Sequence, residues 1–327
     1  MPRTWLEISR ANLLHNLEEF LRLLPSKTRL MAVVKANAYG HGLTQVAKLL
    51  GNFQIPMTND QNSNSNPSYT SPYVRGGREG LWFGVDSLDE ALVLREAGIT
   101  NPILTLGYVP LDRLPEAVEQ GIRLTVYNPE TIEALGEITN HKSQIINKYQ
   151  ISNSKSELLS TNYYLLTTKI HLKLETGTNR QGLHPPEALE LCRLIAKYPH
   201  LELEGVSSHF ANIEDTTDQS YALKQLQRFN EAINLIQYPN DPNHLNNPKY
   251  PSLIRHMACT AATILLSQTY FDMVRVGIGL YGLWPSRETF ISARVDRGTA
   301  DRYNICHDPM PSPQGGGMTG IIPVKQF

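Results

Sequence analysis

Short apolar runs and longer amphipathic stretches alternate along most of this chain. Residues 30–34 (LMAVV) are five consecutive apolar positions, the pattern of a strand covered on both faces. Comparable runs at 81–85, 102–106, 122–126, 165–174, 203–208, 253–257 and 272–276 bring the count of such strands to eight. Within 165–174, Ile170, Leu172 and Leu174 alternate with polar neighbours. Helical spacing fills the intervals. Ser9 is placed to cap a helix whose Leu13, Leu14, Leu17, Phe20, Leu21 and Leu24 share one face, and Pro25 ends it. Ser87 and Glu90 have capping-box spacing for a helix running to Gly98, and Asn128-Pro129 opens another with proline in its first turn. Further helices are expected at 44–50, 114–120, 186–198 and 261–266. A longer one is expected at 219–236, with Leu223, Leu226, Phe229, Ile233 and Ile236 on one face. A short strand is also expected at 4–8. Eight strands, each followed by a helix or loop, predict an α/β protein built as a (β/α)8 barrel of the TIM type; an open doubly wound sheet is the competing architecture.

Three stretches interrupt the alternation. Residues 52–80, 139–162 and 238–250 are polar, and the first and third are rich in Asn and Pro. All three are expected as loop insertions into a barrel spanning 1–284. Residues 285–327 are expected as an irregular tail, because past about Ala293 the chain shows no alternating apolar pattern and clusters Pro and Gly.

Composition narrows the function classes. Thirty basic and 31 acidic residues among 327 give a formal charge of -1, and the basic residues are interspersed with acidic ones, which argues against a nucleic-acid or anionic-membrane partner. A small molecule is the expected partner. No apolar run approaches the ~18 residues of a membrane helix, and the N-terminus lacks an apolar signal region, so a cytoplasmic location is expected. Cys192, Cys259 and Cys306 are widely spaced and form no CxxC pair, which suggests neither disulfides nor a zinc site, and no metal is expected.

Lys35 sits where the first apolar strand stops, followed by ANAYGHG. In a parallel sheet ligands gather at the carboxyl ends of strands. A lysine crowded there by apolar groups would have a lowered pKa and a free amine able to act as a nucleophile or base. For a strand-lysine junction taken alone, a surface lysine is the simpler reading.

VVKANAYGHG (33–42) resembles the pyridoxal-phosphate lysine motif of bacterial alanine racemases, and the resemblance covers most of 1–284 apart from the three polar stretches. It supports the barrel and implies that Lys35 is the Schiff-base lysine and that Tyr39 helps hold pyridoxal 5'-phosphate. VRVGIGLYG (274–282) resembles the racemase segment in which an arginine, here Arg275, bonds the pyridine nitrogen and the amides of Gly277 and Ile278 bind phosphate. Without the arginine, those glycines would read as tight packing at a barrel corner. Thr260 in HMACTAA falls at a phosphate-binding hydroxyl position, although Cys259-Thr260 replaces the Asn-Ser pair common in relatives, and Leu106 is a further expected cofactor contact. HLKLETGTNRQG (171–182) resembles the segment carrying a lysine that can be carbamylated, Lys173, and an arginine near the substrate carboxylate, Arg180. Glu175 and Asn179 depart from the aspartate and glycine often found there, which leaves the loop geometry less defined than the roles. His209 in EGVSSHFAN matches the histidine that bonds a second catalytic base.

Lys35, His209 and Arg275 are thus the expected catalytic set. An arginine stays protonated beside a pyridine nitrogen and leaves the ring a weaker electron sink, which favours moving one proton over transamination. The expected activity is interconversion of L- and D-alanine for cell-wall synthesis; a non-catalytic pyridoxal-phosphate-binding barrel of cofactor homeostasis is the alternative. Relatives continue into a β-rich second domain that supplies a tyrosine across a homodimer interface, whereas 43 residues follow Trp284 here. Tyr303 lies in an unrelated context, so its role is not transferred. A truncated racemase with impaired turnover is expected, and the short tail argues against the dimer.

Overall fold

The computed structural model describes residues 7–53, 80–152, 167–237 and 253–295. Eight parallel strands, β1 Arg29–Val33, β2 Trp82–Val85, β3 Ile103–Thr105, β4 Arg123–Val126, β5 Thr168–Lys173, β6 Leu201–Ser207, β7 Ile254–His256 and β8 Met273–Val276, form one sheet in the order β7-β6-β5-β4-β3-β2-β1-β8. The seam between β7 and β8 is held by Asp272 N–H donating to Arg255 O (3.1 Å), Arg275 N–H donating to Ala258 O (2.9 Å), and the Arg255–Asp272 ion pair at 2.7 Å. The expected (β/α)8 barrel is therefore the observed architecture, and the open sheet is not.

The helices form where caps and periodicity place them. Ser9 Oγ accepts from Asn12 N to start Arg10–Leu23, and Leu24 adopts extended backbone before Pro25. Ser87 Oγ accepts from Glu90 N in Leu88–Glu96, but the other half of the expected capping box is absent: the Glu90 carboxylate reaches Asp86 N (2.8 Å) and Asn37 N (3.4 Å) instead. Asn128 Oδ1 accepts from Thr131 N at the start of Pro129–Ser152. That helix corrects the loop expected from 139: residues 137–152 contain neither glycine nor proline, so a polar sequence continues the helix instead of ending it. Similarly, Arg287–Val295 is helical where an irregular tail was expected. Ser286 Oγ, which accepts from Thr289 N at 2.9 Å, caps its start and donates to Glu214 O. Most of the strand expected at 4–8, nearly all of the stretch at 52–80, residues 153–162 of the second stretch, all of 238–250 and residues 296–327 lie outside the described residues.

Alternation sorts each strand into two faces. Leu124, Val126, Ile170 and Leu172 look outward into the main core under the helices. Inside the barrel, Met31, Trp82, Leu104, Ile254 and Met273 make a separate apolar cluster with Leu106 against it. The remaining interior is polar and buried: His171, Lys173, Glu204, His256 and Arg275. No helix among the described residues is long and apolar enough to cross a membrane.

Candidate active site

Lys35 leaves the carboxyl end of β1 through a rare piece of backbone. Ala36, Asn37, Ala38 and Tyr39 all have φ near +54°, one turn of left-handed helix ending at Gly40 with φ 87°. Left-handed conformation costs an L-residue roughly 1–2 kcal/mol. The turn is held by Asn37 Oδ1 accepting from Leu43 N at 2.8 Å and by Ala38 N donating to Val34 O at 2.7 Å. The Lys35 side chain is 41% exposed, and its Nζ lies 3.5 Å from Asp86 Oδ1. The crowded apolar setting expected for it is thus corrected: the strand end opens at the barrel mouth, and a carboxylate lies beside it. Asp86 had no motif to mark it; its position just past β2, beside the strand bearing Lys35, is what matters.

Tyr39 lies beside Gly277, where an added Cβ would collide with its hydroxyl, so this glycine is required by close approach. Burial pushes the Tyr39 phenol up to about 12. The Gly277 amide donates to Thr260 Oγ1 at 3.1 Å, and Ile278 begins a single 3-10 turn, Ile278–Tyr281. These residues are brought together from three strand ends. Leu106 follows β3, where its carbonyl accepts from Gln181 Nε2 at 3.4 Å.

Arg275 is 6% exposed, and both of its Nη nitrogens are engaged. Nη1 donates to His256 Nδ1 (2.8 Å) and His256 O (2.9 Å); Nη2 donates to Ser208 O (2.7 Å), Met257 O (3.1 Å) and His209 Nδ1 (3.2 Å). Burial lowers its pKa to about 10, still far enough above neutrality to keep it charged. His209 is driven well below its ordinary value by burial and by the charges of Arg275, Lys173, Arg180 and Lys35, so its imidazole is neutral, with Nδ1 accepting and Nε2 carrying the proton. Lys173 is likewise pushed well down by burial and by Arg275 and Arg180.

The Arg180 loop forms despite its unusual residues. Burial raises the Glu175 pKa, but backbone N–H groups of Gly177, Asn179, Thr178 and Arg180 outweigh it and hold the carboxylate ionised inside the loop; Thr178 N donates at 2.6 Å. Asn179 takes φ 53°, a conformation asparagine tolerates better than most residues and one that glycine would supply in its place. Arg180 itself is exposed at the mouth.

His171, His256 and Glu204, which sequence reasoning passed over, form the buried polar floor beneath Arg275, with the partly buried Arg123 paired to Glu204. The available signal was the inward phase of β5: His171 and Lys173 alternate with the outward Ile170 and Leu172.

The chain matches the model of the alanine racemase N-terminal domain over residues 8–55 and 78–285. Among curated relatives, an alanine racemase of Oceanobacillus iheyensis is 35% identical over 294 residues, covering 90% of this chain and 59% of the relative. One of Synechocystis is 32% identical over 285 residues, covering 87% and 61%. Among solved structures, alanine racemase of Clostridium difficile superposes with TM-score 0.66 at 26% identity, covering 90% of this chain and 62% of that one. The Bacillus anthracis alanine racemase with bound L-Ala-P gives 0.62 at 30%, covering 88% and 60%. The chain spans about 60% of the length of the curated relatives it matches. On sequence and on fold alike, the chain belongs to the alanine racemase family through its N-terminal barrel domain.

Proposed function

We propose that this chain is the cofactor-bearing barrel of an alanine racemase, interconverting L- and D-alanine with pyridoxal 5'-phosphate and supplying D-alanine for the cell wall. The observation that supports it most is Arg275, a charged guanidinium fixed by five hydrogen bonds on the strand adjacent to the one that ends in Lys35. The residues fit the cofactor. Lys35 offers a primary amine at the mouth, and the closeness of Tyr39 to Gly277 leaves a side-chain-free wall. Thr260 Oγ1, held by the Gly277 amide, presents a hydroxyl and Ile278 a backbone amide for a phosphate, and Arg275 Nε would offer an N–H to a ring nitrogen.

When bound, pyridoxal phosphate withdraws electrons from the substrate Cα and makes its proton removable. Lys35 Nζ takes or returns that proton on one face, and a second base on the opposite face is needed for turnover in both directions. Arg275 donates a hydrogen bond but keeps its proton at neutral pH, so it restrains electron withdrawal and keeps the chemistry to proton exchange. Arg180, exposed after β5, would pair with a substrate carboxylate. Burial and the charges of Arg275 and Arg180 favour the free amine of Lys173, which can add carbon dioxide with release of a proton, giving an anion whose charge Arg275 and Arg180 offset.

The test is L-alanine in deuterium oxide with the chain and added cofactor. Deuterium at Cα is expected, with D-alanine formed only to the extent that a second base serves the opposite face, and both are lost in Lys35→Ala. Cofactor binding with no exchange at Cα would contradict racemisation and favour the storage barrel.

A further inference from the structure

The buried polar floor of the barrel is a single directed chain of hydrogen bonds. Arg275 Nη1 can only donate, so His256 Nδ1, 2.8 Å away, must accept. His256 Nε2 therefore carries the proton and faces His171 Nδ1 at 2.8 Å, and His171 Nε2 then carries its proton toward Glu204 Oε2 at 3.1 Å. The carboxylate at the far end can only accept, so both ends dictate the same pair of tautomers.

Three features show that this arrangement is built. The register between β5 and β6 shifts between Ile170 and His171, where Leu203 pairs with Ile170 and Gly205 with His171; Glu204 is the extra residue of a bulge, the usual device for re-aiming a side chain. The bulge lets Leu203 and Val206 both join the outer core while Glu204 turns to Arg123 Nε (2.7 Å), Lys169 Nζ (2.7 Å) and His171. Gly205 supplies the room: an added Cβ there would lie 2.5 Å from His171 Nδ1 and 2.8 Å from Ile254 O.

We infer that Glu204 is a positioning residue: through His171 and His256 it fixes the tautomer that lets Arg275 be held by an imidazole acceptor, and so sets the orientation of the guanidinium at the site floor. Burial keeps both imidazoles neutral, and the bonds from His171 and Arg123 outweigh burial to keep Glu204 ionised. The chain of bonds stands on geometry alone; its bearing on cofactor chemistry rests on the racemase reading.

The test is imidazole nitrogen NMR on the cofactor-free protein. In the wild type, both histidines are expected to be neutral with the proton on Nε2 and an unprotonated Nδ1. A proton on Nδ1 of His171 or His256, or a doubly protonated ring, overturns the proposal without any variant having to fold. Glu204→Gln has one side-chain oxygen, and the cations of Arg123 and Lys169 claim it more strongly than a neutral imidazole does. Its NH2 group then faces His171, so both tautomers are expected to reverse and the slowly exchanging Arg275 N–H signals to be lost. An unchanged nitrogen pattern in a folded Glu204→Gln protein also overturns the role of the charge. Failure of pyridoxal phosphate to bind the wild type, with the tautomers as expected, would sink the racemase reading and leave the relay standing.

Discussion

Ala36 opens the left-handed turn. It is exposed, has φ 53° and ψ 51°, and sits directly after the cofactor lysine proposed here. In a right-handed helix Ala→Gly costs about 1 kcal/mol. Here glycine removes a left-handed penalty of about 1–2 kcal/mol and loses about 0.4–1 kcal/mol through a freer unfolded chain. Ala36→Gly is therefore expected to stabilise by about 0.5–1 kcal/mol, read as a higher urea midpoint with unchanged slope; destabilisation would contradict the left-handed turn. The sequence could mark Lys35 and Tyr39 as a motif, but four successive residues at positive φ, only the next being glycine, run against local propensity and leave no local trace. The same holds for Asp86, whose relation to Lys35 exists only because β1 and β2 are neighbours.

Capping decides most of what was legible among the elements. Ser87 was readable as a cap because its partner is three residues on, and Ser87→Ala is expected to lower stability by about 1 kcal/mol, measured by denaturant unfolding; no change would mean that the 3.3 Å bond to Glu90 N carries nothing. The destination of the Glu90 carboxylate was not readable, since Asn37 lies 53 residues away. Polar composition misled over 139–152, where the helix needs no apolar face of its own to continue from one already packed through Ile132 and Leu135. Strand alternation was read for its apolar phase, and the complementary phase of β5, with His171 and Lys173, turned out to hold buried polar groups.

Taken whole, the molecule is a barrel whose interior is divided between an apolar cluster and a charged floor, and that division makes it acid-sensitive. His171 and His256 are kept neutral by burial, so below about 6.5, the ordinary histidine pKa, the unfolded chain binds protons the folded one refuses. Stability contributed this way is present above that pH and lost as pH falls. Glu204, held below the carboxylate range, adds a loss in the same direction below about pH 4.5. Urea unfolding is expected to show lower stability at pH 5.5 than at pH 7.5, by at most about 3 kcal/mol for the two imidazoles together, at about 1.4 kcal/mol per proton per pH unit. A flat profile would mean that the floor protonates without unfolding. The barrel itself was legible from eight apolar runs because a parallel sheet buries both faces of each strand; its polar interior was not, because inward charges look like ordinary alternation.

The central claim, that the strand-end lysine carries the cofactor, is open to one direct measurement. The chain is loaded with pyridoxal phosphate, reduced with borohydride, digested, and the modified peptide sequenced by mass spectrometry. The phosphopyridoxyl mass is expected on Lys35 within VVKANAYGHG and on no other lysine. Its appearance on Lys173 or elsewhere, with Lys35 unmodified, would contradict the account.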